Sequence, residues 1–148
     1  MKNYKYLAGI IDGEGCIGVY KAKDKGKYLK YFVCVVVKNT SEELIFWLKE
    51  NFGGHIKFQK TKNKKWKDCW GWHVNSKKAV TLLKKVLPYL IVKKEQAELS
   101  IKFQKKVKRY GVMGVPKDVL EERESFYIKS RKLNQRGITG SPAGGQTK

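Results

Sequence analysis

The spacing of hydrophobic positions predicts five helices along the chain. In the first, Leu7, Ile10 and Ile11 have the i, i+3, i+4 spacing of one helix face, and Asn3 is a suitable N-cap, so a helix is predicted over about residues 4–12. The same period, together with N-cap, glycine and proline signals, predicts four more helices over residues 42–52, 77–87, 94–108 and 117–133.

Strict alternation and β-branched or aromatic residues predict two hairpins between these helices. The predicted strands cover residues 16–23, 27–38, 55–61 and 66–74, and the turn "DKGK" at 24–27 joins the first pair. The order α-ββ-α-ββ-α-α-α indicates an α+β fold with an antiparallel sheet. We expect residues 1–136 to form one domain and the Gly-rich residues 137–148 to form a flexible C-terminal tail.

The charge of the chain indicates a polyanionic partner. Its 148 residues include 33 Lys and Arg against 13 Asp and Glu, a formal net charge of +20. Nucleic acid is the first candidate. An anionic membrane is a weak alternative, because no apolar run approaches the ~20 residues that span a bilayer. With no signal peptide apparent, we expect an intracellular protein, cytoplasmic, nucleoid or organellar, that is not secreted.

The cysteines do not predict a disulfide framework. Cys16, Cys34 and Cys69 are odd in number and far apart, which is typical of reduced thiols in an intracellular protein. Cys69 and His73 have the spacing of two metal ligands. We favour two positions on one face of a strand, because no second pair completes a tetrahedral site.

The end of the first helix combines residues that disfavour a helix. Gly9 and Gly13 weaken it, and Asp12 and Glu14 lie where the macrodipole is already negative. Small residues four apart, with Ala8 beside them, allow another backbone to approach closely. If the partner is the same helix of a second copy, the acids meet around a dyad, where a divalent cation relieves their repulsion. A small-residue helix packed on its own sheet explains the glycines but not the acids.

The segment "LAGIIDGEG", Leu7 to Gly15, resembles the signature of the LAGLIDADG homing endonucleases, with Glu14 as the acidic variant of the usual Asp. The α-ββ-α-ββ-α order over about residues 3–108 is similar to the core of that family, and "LPYLIVKKEQAEL" at 87–99 is similar to a second stretch of its single-motif members. One copy of the motif is present. The resemblance therefore implies a homodimer, encoded by a mobile intron or a free-standing gene, that binds a near-palindromic site.

The resemblance also implies roles for individual residues. It places the metal on the Glu14 carboxylate and the Gly13 carbonyl, with Asp12 supporting the motif, through water or otherwise. Lys93 is the implied basic residue of the active site, with Lys94 as the alternative. The implied cofactor is Mg²⁺, with Mn²⁺ as a substitute and Ca²⁺ supporting binding without cleavage, although the longer side chain of Glu14 leaves the preferred ion open. Two such sites would make a staggered cut in double-stranded DNA.

Asn39 has two interpretations of equal weight. By resemblance it is the polar residue that follows the second strand in the family's site. By local sequence it is a turn residue ahead of the N-cap Ser41.

Strand alternation assigns one face of the sheet to DNA, because the family's four strands form a saddle in the major groove. The inward positions are Ile17, Val19, Tyr31, Val33, Val35, Val37, Ile56, Phe58, Trp70, Trp72 and Val74. The predicted DNA-facing positions are Gly18, Tyr20, Ala22, Lys30, Phe32, Cys34, Lys57, Gln59, Thr61, Lys67, Cys69 and His73. We expect the Lys-rich hairpin tip and residues 102–109 to contact phosphates.

Two other functions remain open. The first is a non-cleaving nucleic-acid binder on the same scaffold, either an RNA maturase or a DNA-binding regulator. The second is a basic ribosome-associated RNA-binding protein. Glu14 favours a nuclease, because a carboxylate repels phosphate unless a cation lies between them.

Overall fold

The predicted order of helices and strands is confirmed in the computed structural model, which describes residues 2–24 and 28–135. The elements are α1 (Tyr4–Glu14), β1 (Gly15–Asp24), β2 (Tyr28–Asn39), α2 (Glu42–Phe52), β3 (His55–Gln59), β4 (Cys69–Asn75), α3 (Ser76–Val86), a 3₁₀ turn (Leu87–Tyr89), α4 (Lys94–Lys106) and α5 (Lys117–Asn134). The tip of the predicted turn at 25–27 and the predicted tail at 137–148 lie outside the described residues.

The four strands form one antiparallel sheet in the order β1-β2-β4-β3. The register pairs Ile17 with Val35 and Val35 with Val74, so the inward side chains of three strands are aligned. The helices cover this face, and their buried residues include Leu7, Ile11, Ile45, Leu48 and Leu83. The inward face predicted for β1 and β2 is confirmed, since all six of the side chains predicted inward there are buried.

The ends of the helices follow from local chemistry. The Asn3 side chain accepts a hydrogen bond from the backbone N–H of Tyr6 at 3.0 Å, which starts α1 as predicted. Gly15 lets the chain leave α1 directly into β1, because a Cβ at this position would lie 2.8 Å from the Cα of Ile11. The helix continues two residues beyond the predicted end, so both motif acids lie in its last turns.

The second hairpin is shorter than predicted. Strand β3 ends at Gln59 and β4 begins at Cys69, so Thr61 and Lys67 lie in the connecting segment and not on strands. The physical reason is local competition for the backbone: the N–H of Thr61 donates to Asp68 Oδ1 at 2.9 Å and so leaves the ladder. Phe58, which was predicted to be inward, packs on Trp70 but is 50% exposed, because β3 is an edge strand.

Helix α5 covers the free edge of β1. The hydroxyl of Ser130 accepts a hydrogen bond from the N–H of Val19 at 2.9 Å, and the Asn134 amide donates to the carbonyl of Ile17 at 3.0 Å. Gly18 is therefore buried, and a Cβ on it would lie 2.5 Å from Ser130 Oγ. The prediction that Gly18 faces DNA is wrong, because α5 covers it. These bonds satisfy edge groups that would otherwise pair with another strand.

Glu124 fixes α5 against the first two strands. Its Oε1 accepts hydrogen bonds from the Tyr31 hydroxyl at 2.6 Å and the Lys21 ammonium at 2.8 Å. The Lys21 contact lowers the pKa of the Glu124 carboxyl, and burial raises the pKa of Tyr31 to about 12. In the part of the chain that the structure describes, no helix is long and apolar enough to cross a membrane.

We predict that Ser130→Ala lowers the free energy of unfolding by about 1–3 kcal/mol, because the buried N–H of Val19 loses its acceptor. Urea unfolding measures the change, and Ser125→Ala, an exposed serine on the same helix, is the control. Equal stability of the two variants would contradict the role given to Ser130 at the sheet edge.

Candidate active site and nucleic-acid interface

Glu14 and Asn39 meet where α1 ends and β2 ends. The register pairs Gly15 with Val37, which brings the end of β2 beside the last turn of α1. The Asn39 amide Nδ2 donates to Glu14 Oε2 at 2.6 Å, and Asn39 Oδ1 accepts from the N–H of Ser41 at 2.7 Å. The amide is thus oriented by the backbone and in turn orients the carboxylate. Glu14 itself is exposed, so it remains accessible to a ligand. Asn39 therefore contacts the motif carboxylate and also orders the turn ahead of Ser41, while its role in an active site stays a prediction.

Asp12 is bound within its own chain. Its carboxylate accepts hydrogen bonds from the backbone N–H groups of Ile91 (2.7 Å), Val92 (3.2 Å) and Lys93 (3.0 Å). The prediction that Asp12 supports the end of the motif agrees with this arrangement, although the contact is direct. Both oxygens serve the segment leading into α4, so these contacts give the Asp12 side chain a positioning role, and its predicted places in catalysis and in a dimer interface stay predictions.

Lys93 is placed by the same contact. Its ammonium donates to the Asp12 carbonyl at 2.6 Å, while its N–H binds the Asp12 carboxylate. A cation thereby lies at the C-terminus of α1, where the macrodipole is negative, and a carboxylate lies at the N-terminus of α4, where it is positive. Of the two lysines considered from sequence, the structure brings Lys93 to the motif, whereas Lys94 is exposed at the first position of α4.

The end of α1 offers oxygen donors but no complete set of metal ligands among the described residues. Among the described residues, no group of three or more His, Cys, Asp and Glu side chains is arranged to hold a metal ion. Glu14 offers a carboxylate, and the last carbonyls of α1, including that of Gly13, have no later helical residue to bind. These are hard oxygen donors of the kind that Mg²⁺ and Ca²⁺ prefer.

The exposed face of α1 is open at its glycines. Gly9 and Gly13 are exposed, and a Cβ built on either would meet no atom of this chain within 4 Å. Packing within the chain therefore does not require glycine at these positions. Ala8, which was predicted to share the dimer interface, is fully buried in the core beside Leu7, because it lies on a different side of the helix from Gly9 and Gly13.

Apolar side chains flank this open face. Ile91 is 87% exposed and Val92 is 68% exposed, and Asp12 holds their backbone beside the end of α1. Tyr6, one turn before the glycines, is 53% exposed with its ring against Trp47. Sequence reasoning missed Ile91 and Val92. Their signal is two consecutive β-branched residues next to the lysine pair, at a point where no strand is predicted.

The outer face of the sheet carries most of the predicted DNA-facing residues, with differences among them. Five of these residues are exposed and five are half-buried. The five exposed residues are Ala22, Lys30, Lys57 and Gln59 on the strands and Lys67 in the hairpin tip. The five half-buried residues are Tyr20, Phe32, Cys69 and His73 on the strands and Thr61 in the hairpin tip.

Cys34 does not reach the surface of that face. It is 4% exposed, and burial raises the pKa of its thiol to about 12. The Tyr20 ring covers the neighbouring backbone, since its edge lies 3.7 Å from the position of a Cβ on Gly18, the residue paired with Cys34. The Tyr20 hydroxyl donates to Cys16 Sγ at 3.3 Å, and burial raises its pKa. The prediction that Cys34 contacts DNA is therefore wrong for this conformation.

Strands β2, β3 and β4 form a cavity of about 340 Å³ on the outer face. Gly71 opens it, because a Cβ there would lie 3.0 Å from His73 Nε2. The walls include Lys57, Gln59 and Lys38. Lys38 was not among the predicted DNA-facing residues. The alternation of β2 places it on this face, four residues after Cys34.

His73 is kept neutral in this cavity. Burial lowers its pKa to about 4, and the positive charges of Lys57 and Lys38 and the neighbouring His55 act in the same direction. The rings of His55 and His73 stack with their centroids 5.3 Å apart. A neutral imidazole both donates and accepts a hydrogen bond, which suits a base edge better than a phosphate.

The sequence model described as LAGLIDADG endonuclease matches residues 7–108, about two thirds of the chain. This chain belongs to the LAGLIDADG endonuclease family. The match spans the motif, the whole sheet and the Lys93 segment. No curated protein sequence gives a significant match.

Solved structures of homing endonucleases have the same fold. The chain is similar to I-CvuI in complex with its target in the presence of Ca, with a TM-score of 0.72 and 24% identity over 88% of this chain and 80% of that one. The archaeal intron-encoded homing endonuclease I-Vdi141I complexed with DNA gives a TM-score of 0.70 and 19% identity over 90% of this chain and 85% of that one. The meganuclease I-AabMI bound to uncleaved DNA gives a TM-score of 0.53 and 18% identity, over 99% of this chain but only 46% of that chain.

We predict that Asp12→Asn destabilises the protein by about 1–3 kcal/mol, because the amide has one acceptor oxygen for three N–H donors. Hydrogen exchange at residues 91–93 accelerates in the same variant. Asp118→Asn, at an exposed acid in the first turn of α5, is the matched control. Unchanged exchange at 91–93 would contradict the positioning role of Asp12.

We predict that His73 titrates with a pKa of about 4 in the folded protein, measured by NMR of its imidazole. Lys57→Gln raises this pKa, because a nearby positive charge is removed, whereas Lys49→Gln does not. Since the unfolded value is about 6.5, the neutral His73 contributes stability above that pH, and the contribution is lost as the pH falls from 6.5 to 4. A folded pKa near 6.5 would contradict this environment.

Proposed function

We propose that the protein is a site-specific double-strand DNA endonuclease that acts as a homodimer and depends on a divalent metal. The observation that carries the proposal is the Glu14 carboxylate, exposed at the end of α1, oriented by Asn39 and accompanied by Lys93. A binding protein has no use for an exposed, oriented carboxylate on a surface of charge +20, whereas a metal-dependent nuclease does.

The open face of α1 supports a homodimer. Gly9 and Gly13 leave room for a second backbone, and Ile91 and Val92 provide apolar surface beside it. A two-fold axis near Gly13 would bring two copies of Glu14 together, so that each active site is completed by the assembly. The match to less than half of the longer I-AabMI chain fits the same interpretation, because such a chain has room for two copies of the fold.

The donors at the end of α1 fit a divalent ion. Glu14 and the Gly13 carbonyl would hold it, and I-CvuI has been crystallised with Ca and with Mg, in the latter case with the DNA not cleaved. When bound, Mg²⁺ supplies charge neutralisation at the phosphate and lowers the pKa of water. Asn39 holds Glu14 in position, and Lys93 offers an ammonium to the charge that develops on the phosphate.

The outer face of the sheet supplies the DNA interface. Lys57, Gln59 and the neutral His73 surround one cavity, and their donors and acceptors suit base edges in the major groove. With one such face per subunit, the bound site would be long and nearly palindromic. One active site per strand would then produce a staggered cut.

We predict that the wild-type protein with Mg²⁺ cuts one symmetric class of sequences, with a stagger, in a randomised near-palindromic duplex library. Glu14→Gln binds the same sequences but cuts them at least ~100-fold more slowly, because the ligand charge is lost. Glu50→Gln, which removes an exposed carboxylate from α2, is the control and keeps full activity.

Binding without cutting in Mg²⁺ or Mn²⁺ would overturn the nuclease and favour the alternative of a non-cleaving binder. Preferential binding of structured RNA over every duplex would identify that binder as an RNA maturase. Cutting by Glu14→Gln at the wild-type rate would remove Glu14 from the active site.

A further inference from the structure

A second basic cavity lies away from the proposed cutting centre, beside the N-terminus of α3. Its volume is about 940 Å³, and it is formed by the start of α3, the second half of α4 and the distal part of β2. Six cationic side chains line it, and no carboxylate is among the described residues that do so; the cations are Lys30, Lys77, Lys78, Lys84, Lys105 and Arg109.

The placement of these charges is unfavourable for the isolated chain. Lys77 and Lys78 lie in the first turn of α3, at the positive end of its macrodipole, and that turn has no acidic residue. The other helix that follows a strand, α2, has the usual arrangement, with Glu42 and Glu43 in its first turn. The α3 arrangement becomes favourable when an anion occupies the cavity.

Nothing in the described contacts neutralises the cavity. The ion pairs Lys21–Glu124 and Lys106–Glu122 use none of its residues. Asn75, the N-cap of α3, makes no side-chain capping bond, and it lines the cavity at the start of the helix. Backbone N–H groups, an amide and several cations in one concave surface are the groups that bind phosphate.

The position of the cavity indicates which phosphate. Lys30 belongs both to the cavity and to the exposed outer face of β2, so the two surfaces are continuous. Lys30 lies nine residues before Asn39 on β2, or about 30 Å at ~3.3 Å per residue. Along a duplex that distance is at most about nine base pairs, at 3.4 Å each.

We propose that this cavity binds the phosphate backbone of duplex DNA towards the outer end of each half-site, at about nine base pairs from the centre of the whole site. The inference rests on the proposed function, because it requires the strands to follow the groove outward from α1. It adds a separate contact that depends on the length of the DNA and carries no sequence information.

The test uses the full-length protein with Ca²⁺ and the duplex that binds most tightly in selection from a randomised library. That duplex is trimmed symmetrically to 28, 24, 20, 16 and 12 base pairs, and affinity is measured by fluorescence anisotropy over a range of KCl concentrations. The cavity variant combines Lys77→Gln, Lys105→Gln and Arg109→Gln. The matched control combines Lys49→Gln, Lys129→Gln and Lys132→Gln, which remove the same charge from other exposed positions.

The wild type and the control are expected to gain affinity between 16 and 24 base pairs, and the cavity variant is not. On the longer duplexes, the negative slope of log K against log [KCl] becomes shallower for the cavity variant, by up to about 0.9 for each phosphate contact that it loses. On the 12-base-pair duplex, the cavity variant and the control bind equally. Circular dichroism melting confirms that all variants are folded.

Equal losses by the cavity variant and the control at every length would overturn the inference and leave the proposed function intact. The same holds if the cavity variant loses only binding of ATP or single-stranded RNA, which would identify the cavity as a site for those ligands. If the wild type selects no duplex at all, the proposed function itself fails.

Discussion

The contact between the Asp12 carboxylate and the backbone of residues 91–93 is the constraint on which the site depends. It joins the negative end of α1 to the positive end of α4. The Asp12 carboxylate offsets the positive end of the α4 dipole, and the Lys93 ammonium offsets the negative end of the α1 dipole. Because Lys93 is held through both its N–H and its ammonium, the same contact sets where a cation lies relative to the end of the motif. The acids of the motif thus have different roles: Asp12 builds the site, and Glu14 is left exposed within it.

The arrangement explains why the motif accepts poor helix formers. Gly15 is required within the chain, since a Cβ there would collide with the backbone of α1. Gly9 and Gly13 are not required within the chain, and the proposed pairing of α1 with a second copy would account for their cost of about 1 kcal/mol each relative to alanine. The exposed Ile91 and Val92 lie beside them because Asp12 places them there, so site construction and the proposed dimer surface share one contact.

The fold was largely predictable from sequence, because its signals are local. Alternation identified the inward face of β1 and β2, and caps such as Asn3 and Ser41 marked the helix starts. The failures arise from contacts distant in sequence. Gly18 is covered by Ser130 of α5, and Cys34, paired with Gly18, is only 4% exposed. Alternation carries no information about the burial of either residue. Thr61 left its predicted strand because a single acid, Asp68, captured its N–H.

The site was predictable only as far as the motif reached. The family resemblance singled out Glu14, Asn39 and Lys93, and the structure brings all three to the end of α1. The inclusion of Ala8 in an interface failed because the helical face of a small residue cannot be read from composition. The three N–H donors to Asp12 were not predictable, since a carboxylate that binds backbone leaves no side-chain partner in the sequence.

The most direct test of the central claim, that the open face of α1 completes the active site by pairing with itself, is sedimentation velocity of the wild type and Gly9→Leu. Gly111→Leu, at another exposed glycine with open space around it, is the control. The account predicts that the wild type and the control sediment with the mass of two chains, while Gly9→Leu remains folded and sediments as one. A Gly9→Leu protein that is still dimeric, or a wild type that is monomeric both free and on DNA, would contradict it.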